Sequence, residues 1–231
     1  MKDNKYKHLF NFYGRRVSRN LSKRKTFLLD HFLPKINLLK MDIQNNIIDN
    51  FFSNNPIKFE LEIGFGSGEH LYSLARGNKN IGYIGVEPYL NGIASLLNLI
   101  EKNKTDNILI YPDDFRKLIK DLPKEKFSNI YILFPDPWPK KRHINRRILN
   151  KEMLHSFYSL LSFKGKLIIA TDHSTARTWI LSNVLLSKKF IWLINNKEKF
   201  YVKVNQKPKT RYMQKAFAEG RKVSWFEFEK T

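Results

Sequence analysis

The amino-acid sequence predicts an α/β protein built on a doubly wound, mostly parallel sheet. From residue 59 onward, short apolar runs of strand length alternate with stretches of helical periodicity, as in strands joined by covering helices. Glycine-rich or acidic segments follow several of these runs, where the carboxyl ends of the strands would lie and where such sheets bind ligands. With 231 residues and 42% hydrophobic content, the chain suffices for one well-packed core.

Six apolar runs are the predicted strands, and five periodic stretches are the predicted helices between them. The predicted strands are 59–63, 81–86, 108–111, 130–134, 166–171 and 190–194. The predicted helices are 69–76, 90–102, 115–122, 148–161 and 175–186. We divide the chain into a basic N-terminal arm over residues 1–54, with one or two short helices, and a single domain over residues 55–231.

The charge of the chain favours a polyanionic partner. The 42 lysines and arginines exceed the 21 acidic residues and give a formal net charge of +21, and cations that neutralise phosphates release condensed counterions. Part of this charge is clustered in the N-terminal arm, for which a solvated tail without a binding role is the alternative. The clustered basic residues of the arm are Arg15, Arg16, Arg19, Lys23, Arg24 and Lys25.

Composition also limits the possible chemistry and location. The absence of cysteine excludes disulfides, thiolate metal ligands and a cysteine nucleophile, and the six histidines show no close metal-ligand spacing. We therefore expect no metal. No apolar run approaches the roughly 18 residues of a membrane span, and no signal-peptide pattern follows the charged start. A soluble, cytoplasmic protein without a membrane partner is expected.

A glycine-spaced turn follows the first predicted strand. It reads Glu-Ile-Gly-Phe-Gly-Ser-Gly-Glu over residues 62–69, and such glycines let the backbone approach a ligand closely before a helix begins. The turn lacks the third glycine at the spacing of the dinucleotide fingerprint Gly-x-Gly-x-x-Gly, and Glu62 would sit badly beside a pyrophosphate, so a dinucleotide is disfavoured. A nucleoside cofactor is the prediction, and an ordinary tight turn is the alternative.

Two further acidic residues follow the next two predicted strands. Glu87 is placed to accept both hydroxyls of a ribose, and Asp114 is placed to reach the exocyclic amine of adenine. Each has an alternative role as a helix cap or first-turn acid. Three carboxylates after three successive strands, counting Glu62, suit a sulfonium cation better than a phosphate.

The most specific segment is 134–143, which reads Phe-Pro-Asp-Pro-Trp-Pro-Lys-Lys-Arg-His directly after the fourth predicted strand. Three prolines fix the backbone and would hold Asp136 and Trp138 where a transferred group and its acceptor meet. A proline-rich connection from strand to helix is the alternative, but it would require neither the acid nor the five lysines and arginines between positions 140 and 147.

These motifs resemble those of the bacterial tRNA (guanine-N7-)-methyltransferase family over about residues 55–228. The matching segments are 61–66, 85–87, 134–143, 170–172 and 210–212, and Tyr13 to Arg16 resemble the family's N-terminal extension. The resemblance implies a Rossmann-like, class I fold that uses S-adenosyl-L-methionine to methylate tRNA, at the guanine of position 46 in the variable loop. Two positions depart from the family pattern: Met213 stands where glutamate is common, and Asn145 where lysine is common.

The resemblance also implies roles for particular residues. The implied cofactor contacts are Glu62, Glu87, Asp114 and Asp136, and Asp136 is also the implied catalytic residue. The implied substrate-binding residues are Lys140, Asp172, Thr210, Arg211, Tyr212 and Met213.

The chemistry of guanine N7 indicates how the acids would act. Its lone pair lies in the ring plane, so attack on a sulfonium methyl needs alignment and charge stabilisation but no general base. We assign Asp136 and Asp172 to orientation and electrostatics, with an N-terminal helix acid as the alternative for Asp172. Trp138 would meet an exposed base or pack in the core. The predicted phosphate contacts beside the site are Lys141, Arg142, Arg146 and Arg147.

Three rival functions remain open on the sequence. An amino-group methyltransferase has a related Asp-Pro-Pro-aromatic motif, from which this chain differs at Trp138. An RNA-binding module without catalysis would keep the fold but would not need Glu62, Glu87 and Asp136. A nicotinamide dehydrogenase is the third. Either a monomer or a homodimer is expected.

Overall fold

The structure is a computed structural model that describes residues 14, 16, 20–41, 48–194, 196–202 and 210–231. Within these residues the chain forms one seven-stranded sheet flanked by α-helices. The strands are β1 (Lys58–Ile63), β2 (Ile81–Val86), β3 (Ile108–Tyr111), β4 (Phe127–Leu133), β5 (Leu161–Thr171), β6 (Phe190–Trp192) and β7 (Ser224–Lys230). The helices are α1 (Lys23–His31), α2 (Glu69–Gly77), α3 (Leu90–Asn103), α4 (Phe115–Leu118), α5 (Lys151–Leu160), α6 (Ser174–Ser187), α7 (Lys197–Phe200) and α8 (Arg211–Ala218).

The order of the strands places a ligand site at the centre of the sheet. The order is β3-β2-β1-β4-β5-β7-β6; the first five strands of the chain are parallel, and β7 runs antiparallel to both β5 and β6. The chain winds outward in one direction from β1 and in the other from β4, so the crevice opens between the carboxyl ends of these two strands. The predicted doubly wound, mostly parallel sheet is confirmed.

Most elements match the prediction from the sequence, but the structure contains one strand that was not predicted. The six predicted strands all form, although β4 begins three residues earlier than predicted and β5 five residues earlier. The strand β7 was not predicted, nor were α7 and α8. The predicted helix 115–122 is shorter, because α4 ends at Leu118.

Both faces of the sheet are buried, which is why the strands are almost continuously apolar. On one face, β1 contributes Phe59, Leu61 and Ile63 to a cluster that contains the apolar sides of α4, α5 and α6. On the other face, α1, α2 and α3 pack over β2 and β3, and α8 packs over β5 and β7. Glu60 and Glu62 of β1 are buried within the sheet as well, so this second face also contains polar groups.

The part of the N-terminal arm that the structure describes packs against the domain. Leu28 of α1 is completely buried among residues of α2 and α3, and Arg24 pairs with Glu101 of α3. The chain after α1 also covers the outer edge of β3, because the Ile110 N–H donates to the Ile36 carbonyl at 2.8 Å. Tyr13, Arg15 and Arg19 lie outside the described residues. No described helix combines the length and apolarity that crossing a bilayer would need.

The burial of α1 predicts that it stabilises the whole domain. Leu28→Ala leaves a cavity between α1 and α3, and we expect the free energy of unfolding to fall by about 3 kcal/mol. The matched control is Leu39→Ala, because Leu39 is 52% exposed and should cost less than about 1 kcal/mol. Urea denaturation followed by circular dichroism measures both. Equal losses for the two variants would contradict the packing of α1 as described.

Candidate active site

The glycine turn between β1 and α2 forms one wall of the central crevice. Gly64, Gly66 and Gly68 all have left-handed φ angles, of 74°, 57° and 80°, which residues with a Cβ rarely adopt. The turn lies directly against α3, because a Cβ added at Gly92 would stand 2.1 Å from the Gly66 carbonyl oxygen. Glycine at positions 66 and 92 therefore allows the turn to pack directly on α3, which leaves space for a ligand on the side of the turn that faces away from α3.

Glu87, after β2, is held by the backbone on both sides of this wall. One carboxylate oxygen accepts from the Gly66 N–H at 2.8 Å and the other from the Tyr89 N–H at 3.0 Å. The pKa of Glu87 is raised to about 7, because burial and, to a smaller extent, the nearby charges of Asp136 and Glu62 raise it by more than these hydrogen bonds lower it. Glu62 and Asp136, two more of the predicted cofactor carboxylates, thus lie within electrostatic range of Glu87.

Asp114, the fourth predicted cofactor contact, caps a helix and carries an ion pair. Its Oδ1 accepts from the Arg116 N–H and from Arg116 Nε, each at 2.9 Å, and its Oδ2 accepts from Arg116 Nη2 at 2.6 Å. The helix-cap alternative therefore describes its contacts here, and any contact with adenine would use the remaining acceptor capacity. The neighbouring Asp113 accepts from Lys117 at 2.7 Å and from Arg16 of the arm at 2.6 Å.

The Asp-Pro-Trp loop after β4 forms the opposite wall. Phe134 and Trp138, which bracket the loop, have φ angles of 53° and 38°, rare for bulky side chains and costly by about 1–2 kcal/mol each. Asp136 is exposed, and in the described part of the chain no group donates a hydrogen bond to it. Desolvation of its carboxyl group raises the pKa of Asp136 above the ordinary 3.8. A rigid loop therefore presents an unpaired acid to the crevice.

Arg147 holds this loop. The sequence had predicted that it would contact a phosphate instead. Its side chain is buried and donates twice to the Trp138 carbonyl, at 3.2 Å from Nε and 2.8 Å from Nη2. Its guanidinium also stacks 4.6 Å from the Trp179 ring centre. The prediction for Arg147 is thus corrected, because a planar fork buried against a carbonyl and an aromatic ring has no surface left for RNA.

Trp138 lies among side chains of the same basic segment. Its ring meets His143 edge-on at 5.4 Å, and Arg146 stands 4.8 Å from its ring centre. Arg146 is therefore engaged with an aromatic face, whereas Lys140, Lys141 and Arg142 are exposed. Local desolvation and the positive charges of Arg146, Arg142 and Lys140 lower the pKa of His143, so these cations form one patch.

The segment 210–213 contains the cap and the first residues of α8 and covers the glycine turn. Thr210 is the cap, accepting from the Met213 N–H at 3.1 Å, and Arg211 pairs with Glu69 of α2 at 2.9 Å. Tyr212 stacks on Phe134 with ring centres 6.1 Å apart and comes within 3.7 Å of a Cβ built at Gly66. Met213 points the other way and is 1% exposed in the core, which shows why an apolar residue is tolerated there.

Asp172 stands after β5 and pairs with Arg221, which sequence reasoning did not single out. The Arg221 guanidinium donates to Asp172 Oδ2 and also contacts Glu219 at 2.6 Å. The cap of α6 is His173, whose Nδ1 accepts from the Thr175 N–H at 3.2 Å. The alternative role of Asp172 as a helix acid therefore does not describe its contacts. Nothing in the sequence near Arg221 marks it, because its partner lies 49 residues away.

Comparison with known proteins assigns the chain to a family. A family model described as a putative methyltransferase matches residues 56–225. The tRNA (guanine-N(7)-)-methyltransferase of Chelativorans sp. (strain BNC1) is 36% identical over 220 residues, 94% of this chain and 94% of that protein. The protein of the same name from Bradyrhizobium diazoefficiens is 35% identical over 223 residues, 95% of this chain and 93% of that one. The chain belongs to the tRNA (guanine-N(7)-)-methyltransferase family.

Solved structures share the fold of this tRNA (guanine-N(7)-)-methyltransferase family member at low sequence identity. An antibiotic-related methyltransferase has a TM-score of 0.51 at 18% identity, over 92% of this chain and 95% of that chain. The 16S rRNA methyltransferase KamB has a TM-score of 0.54 at 13% identity, over 76% of this chain and 89% of that chain. The predicted class I methyltransferase fold and the predicted family are confirmed. Among the described residues, no group of three or more histidine and acidic side chains is arranged to hold a metal ion.

The raised pKa of Glu87 predicts a pH-dependent stability for the tRNA (guanine-N(7)-)-methyltransferase fold. Because the pKa is about 7 in the folded protein against 4.5 ordinarily, the folded protein keeps a proton that the unfolded chain has lost. The stabilisation of the folded protein by this proton is complete below pH 4.5 and is lost as the pH rises through 7. Glutamine does not titrate, so we expect Glu87→Gln to abolish this pH dependence. The free energy of unfolding of the variant should therefore rise relative to that of wild type by up to about 3 kcal/mol between pH 5 and 8.

Urea titrations at pH 5, 6, 7 and 8 measure this difference in the free energy of unfolding. Glu152→Gln is the control, because Glu152 lies exposed in the first turn of α5. Parallel pH profiles for wild type and Glu87→Gln would show that Glu87 titrates near its ordinary pKa.

Proposed function

We propose that this chain transfers the methyl group of S-adenosyl-L-methionine to N7 of a guanine in tRNA, at position 46 of the variable loop. The carrying observation is the unpaired carboxylate of Asp136, held on a rigid loop within electrostatic range of Glu87 at the crevice of the sheet. The relatives that are tRNA (guanine-N(7)-)-methyltransferases support guanine N7 as the acceptor and tRNA as the substrate. We propose that the enzyme acts in the cytoplasm as a monomer or a homodimer.

The residues around the glycine turn fit S-adenosyl-L-methionine. Glycines at 64, 66 and 68 leave space above the turn, and each oxygen of Glu87 accepts one backbone N–H and keeps a lone pair for a ribose hydroxyl. Glu62 and Asp136 supply negative charge where a sulfonium would lie. Asp114 is the proposed adenine contact through the acceptor capacity that Arg116 leaves.

The residues of the loop and of α8 would align and stabilise the reaction. The bound cofactor supplies an electrophilic methyl group on a positively charged sulfur. Transfer of this methyl group to the in-plane lone pair of guanine N7 would place positive charge on the purine, so the residues that line the crevice would have to align the base and stabilise that charge. Asp136 stabilises that charge, and Tyr212, 60% exposed beside Phe134, offers a face on which the base lies. No proton has to be removed from N7.

The exposed cations beside the loop would hold the RNA. Lys140, Lys141 and Arg142 form the proposed phosphate contacts, and the basic arm before Lys25 extends them. Asp172 would accept from the amino and imino groups of guanine, with Arg221 fixing one of its oxygens. Selectivity then depends on the shape of the RNA and on a base exposed to the crevice.

Transfer of a labelled methyl group tests both the reaction and the role of Asp136. Purified protein, methyl-labelled S-adenosyl-L-methionine and unmodified tRNA should yield 7-methylguanosine on nuclease digestion and mass spectrometry. We expect Asp136→Ala to lower the rate at least about 100-fold, because it removes the charge that stabilises the alkylated purine. Asp106→Ala is the control, since Asp106 is exposed before β3, at the opposite edge of the sheet.

Each other outcome favours a stated rival. Label on an exocyclic amine would favour the amino-group methyltransferase. RNA binding without any label would favour the module without catalysis. An Asp136→Ala variant as fast as Asp106→Ala would refute the role of Asp136 while leaving the reaction assigned.

Two arginine variants distinguish contact with RNA from support of the loop. Arg142→Gln removes an exposed cation, so we expect KM for tRNA to rise about threefold to tenfold with little change in kcat, and the salt dependence of binding to become shallower. Arg147→Gln releases the Trp138 carbonyl, so we expect kcat to fall at least about tenfold with KM nearly unchanged. Steady-state kinetics at several salt concentrations distinguish the two. The same pattern for both variants would mean that Arg147 contacts RNA after all.

A further inference from the structure

A buried hydrogen bond between a histidine and a carboxylate lies directly beneath the glycine turn. His70, the second residue of α2, places its Nδ1 2.8 Å from Oε2 of Glu62, the second-last residue of β1. Each side chain is only 3% exposed. A buried carboxylate is costly unless a donor satisfies it, so this contact is what allows an acid to stand at the end of a central strand.

The imidazole of His70 is fixed in both tautomer and orientation. A carboxylate oxygen can only accept, so the proton of the contact sits on Nδ1 of His70. The ring meets Tyr131 of β4 edge-on at 4.9 Å. Tyr131 is fixed in turn, because its hydroxyl donates to Glu60 at 3.1 Å, and Asn129 donates to the other oxygen of Glu60 at 2.6 Å. The network thus spans β1, β4 and α2 under the crevice.

One oxygen of Glu62 is left available by this network. His70 occupies Oε2, and in the described part of the chain no other residue donates a hydrogen bond to Glu62. Glu62 stands at the carboxyl end of β1, two residues before Gly64, so its carboxylate lies beside the glycine turn that forms one wall of the crevice, and its charge also acts on Glu87. His70, which is itself buried, therefore orients the remaining oxygen of Glu62.

We propose that His70 is a positioning residue for the cofactor: it holds Oε2 of Glu62 so that Oε1 accepts from the ammonium group of the amino-acid portion of S-adenosyl-L-methionine. This inference rests on the proposed function only for the identity of the cofactor. Without the Nδ1–H, the buried carboxylate loses its one donor and turns toward solvent, and the ammonium loses a fixed acceptor.

Two ligands separate this role from a general structural one. S-adenosylhomocysteine carries the amino-acid portion, whereas 5′-methylthioadenosine has the same adenosine and sulfur without it. By isothermal titration calorimetry, we expect His70→Phe, which keeps a ring against Tyr131 but has no donor, to weaken S-adenosylhomocysteine binding at least about tenfold. Binding of 5′-methylthioadenosine should stay within about twofold of wild type, which also shows that the variant is folded.

A variant that keeps a side-chain N–H at position 70 should retain the affinity for S-adenosylhomocysteine. His70→Asn places a side-chain N–H near the position of Nδ1, so we expect S-adenosylhomocysteine affinity within about threefold of wild type. Ile100→Val, in the buried face of α3, is the control for lost core packing and should change neither affinity. His70→Leu gives the same comparison if the phenylalanine variant does not fold.

Three results would overturn the inference. Unchanged S-adenosylhomocysteine affinity in His70→Phe would refute the role of His70 alone. An equal loss for both ligands would show that His70 acts by holding the fold. Wild-type protein that binds neither ligand would refute the proposed cofactor, and the inference with it.

Discussion

The close approach of the β1–α2 turn to the start of α3 is the constraint on which the site depends. A single methyl group at Gly92 would collide with the Gly66 carbonyl, and the Gly66 N–H is at the same time bound by Glu87. The turn, the first turn of α3 and the carboxylate after β2 therefore have one mutual arrangement. Everything that faces the crevice from the other side, the Asp136 loop and Tyr212, is positioned against this fixed wall.

The opposite wall is held by a different device. The loop after β4 contains two residues with unfavourable backbone angles, and contacts from side chains outside positions 134–138 offset that cost. Arg147 binds the Trp138 carbonyl, and Tyr212 stacks on Phe134. The prolines alone would make the segment stiff, but these contacts decide which way Asp136 points. The site is therefore a product of β1, β4 and α8 together.

Sequence reasoning located the fold and the crevice because both depend on local signals. Strands with apolar runs and acids directly after them, such as Glu87 and Asp136, can be read from adjacent residues. The antiparallel β7 was missed although Phe226 and Phe228 alternate with Glu227 and Glu229, because the runs considered were continuous apolar ones. Arg147, Arg221 and His70 could not be assigned, since their partners are fixed by tertiary packing and charge alone suggested RNA contact for Arg147.

The position of β7 inside the sheet has a consequence for how the chain acquires its structure during synthesis. β6 is made before β7 but pairs with nothing else in the described sheet, and β5 has β7 as its outer neighbour. Before residues 224–230 are in place, β5 has an unpaired edge on this side, and such edges can pair with other chains. Because β7 lies between β5 and β6, its pairing removes the free edge of β5 and also provides the partner of β6.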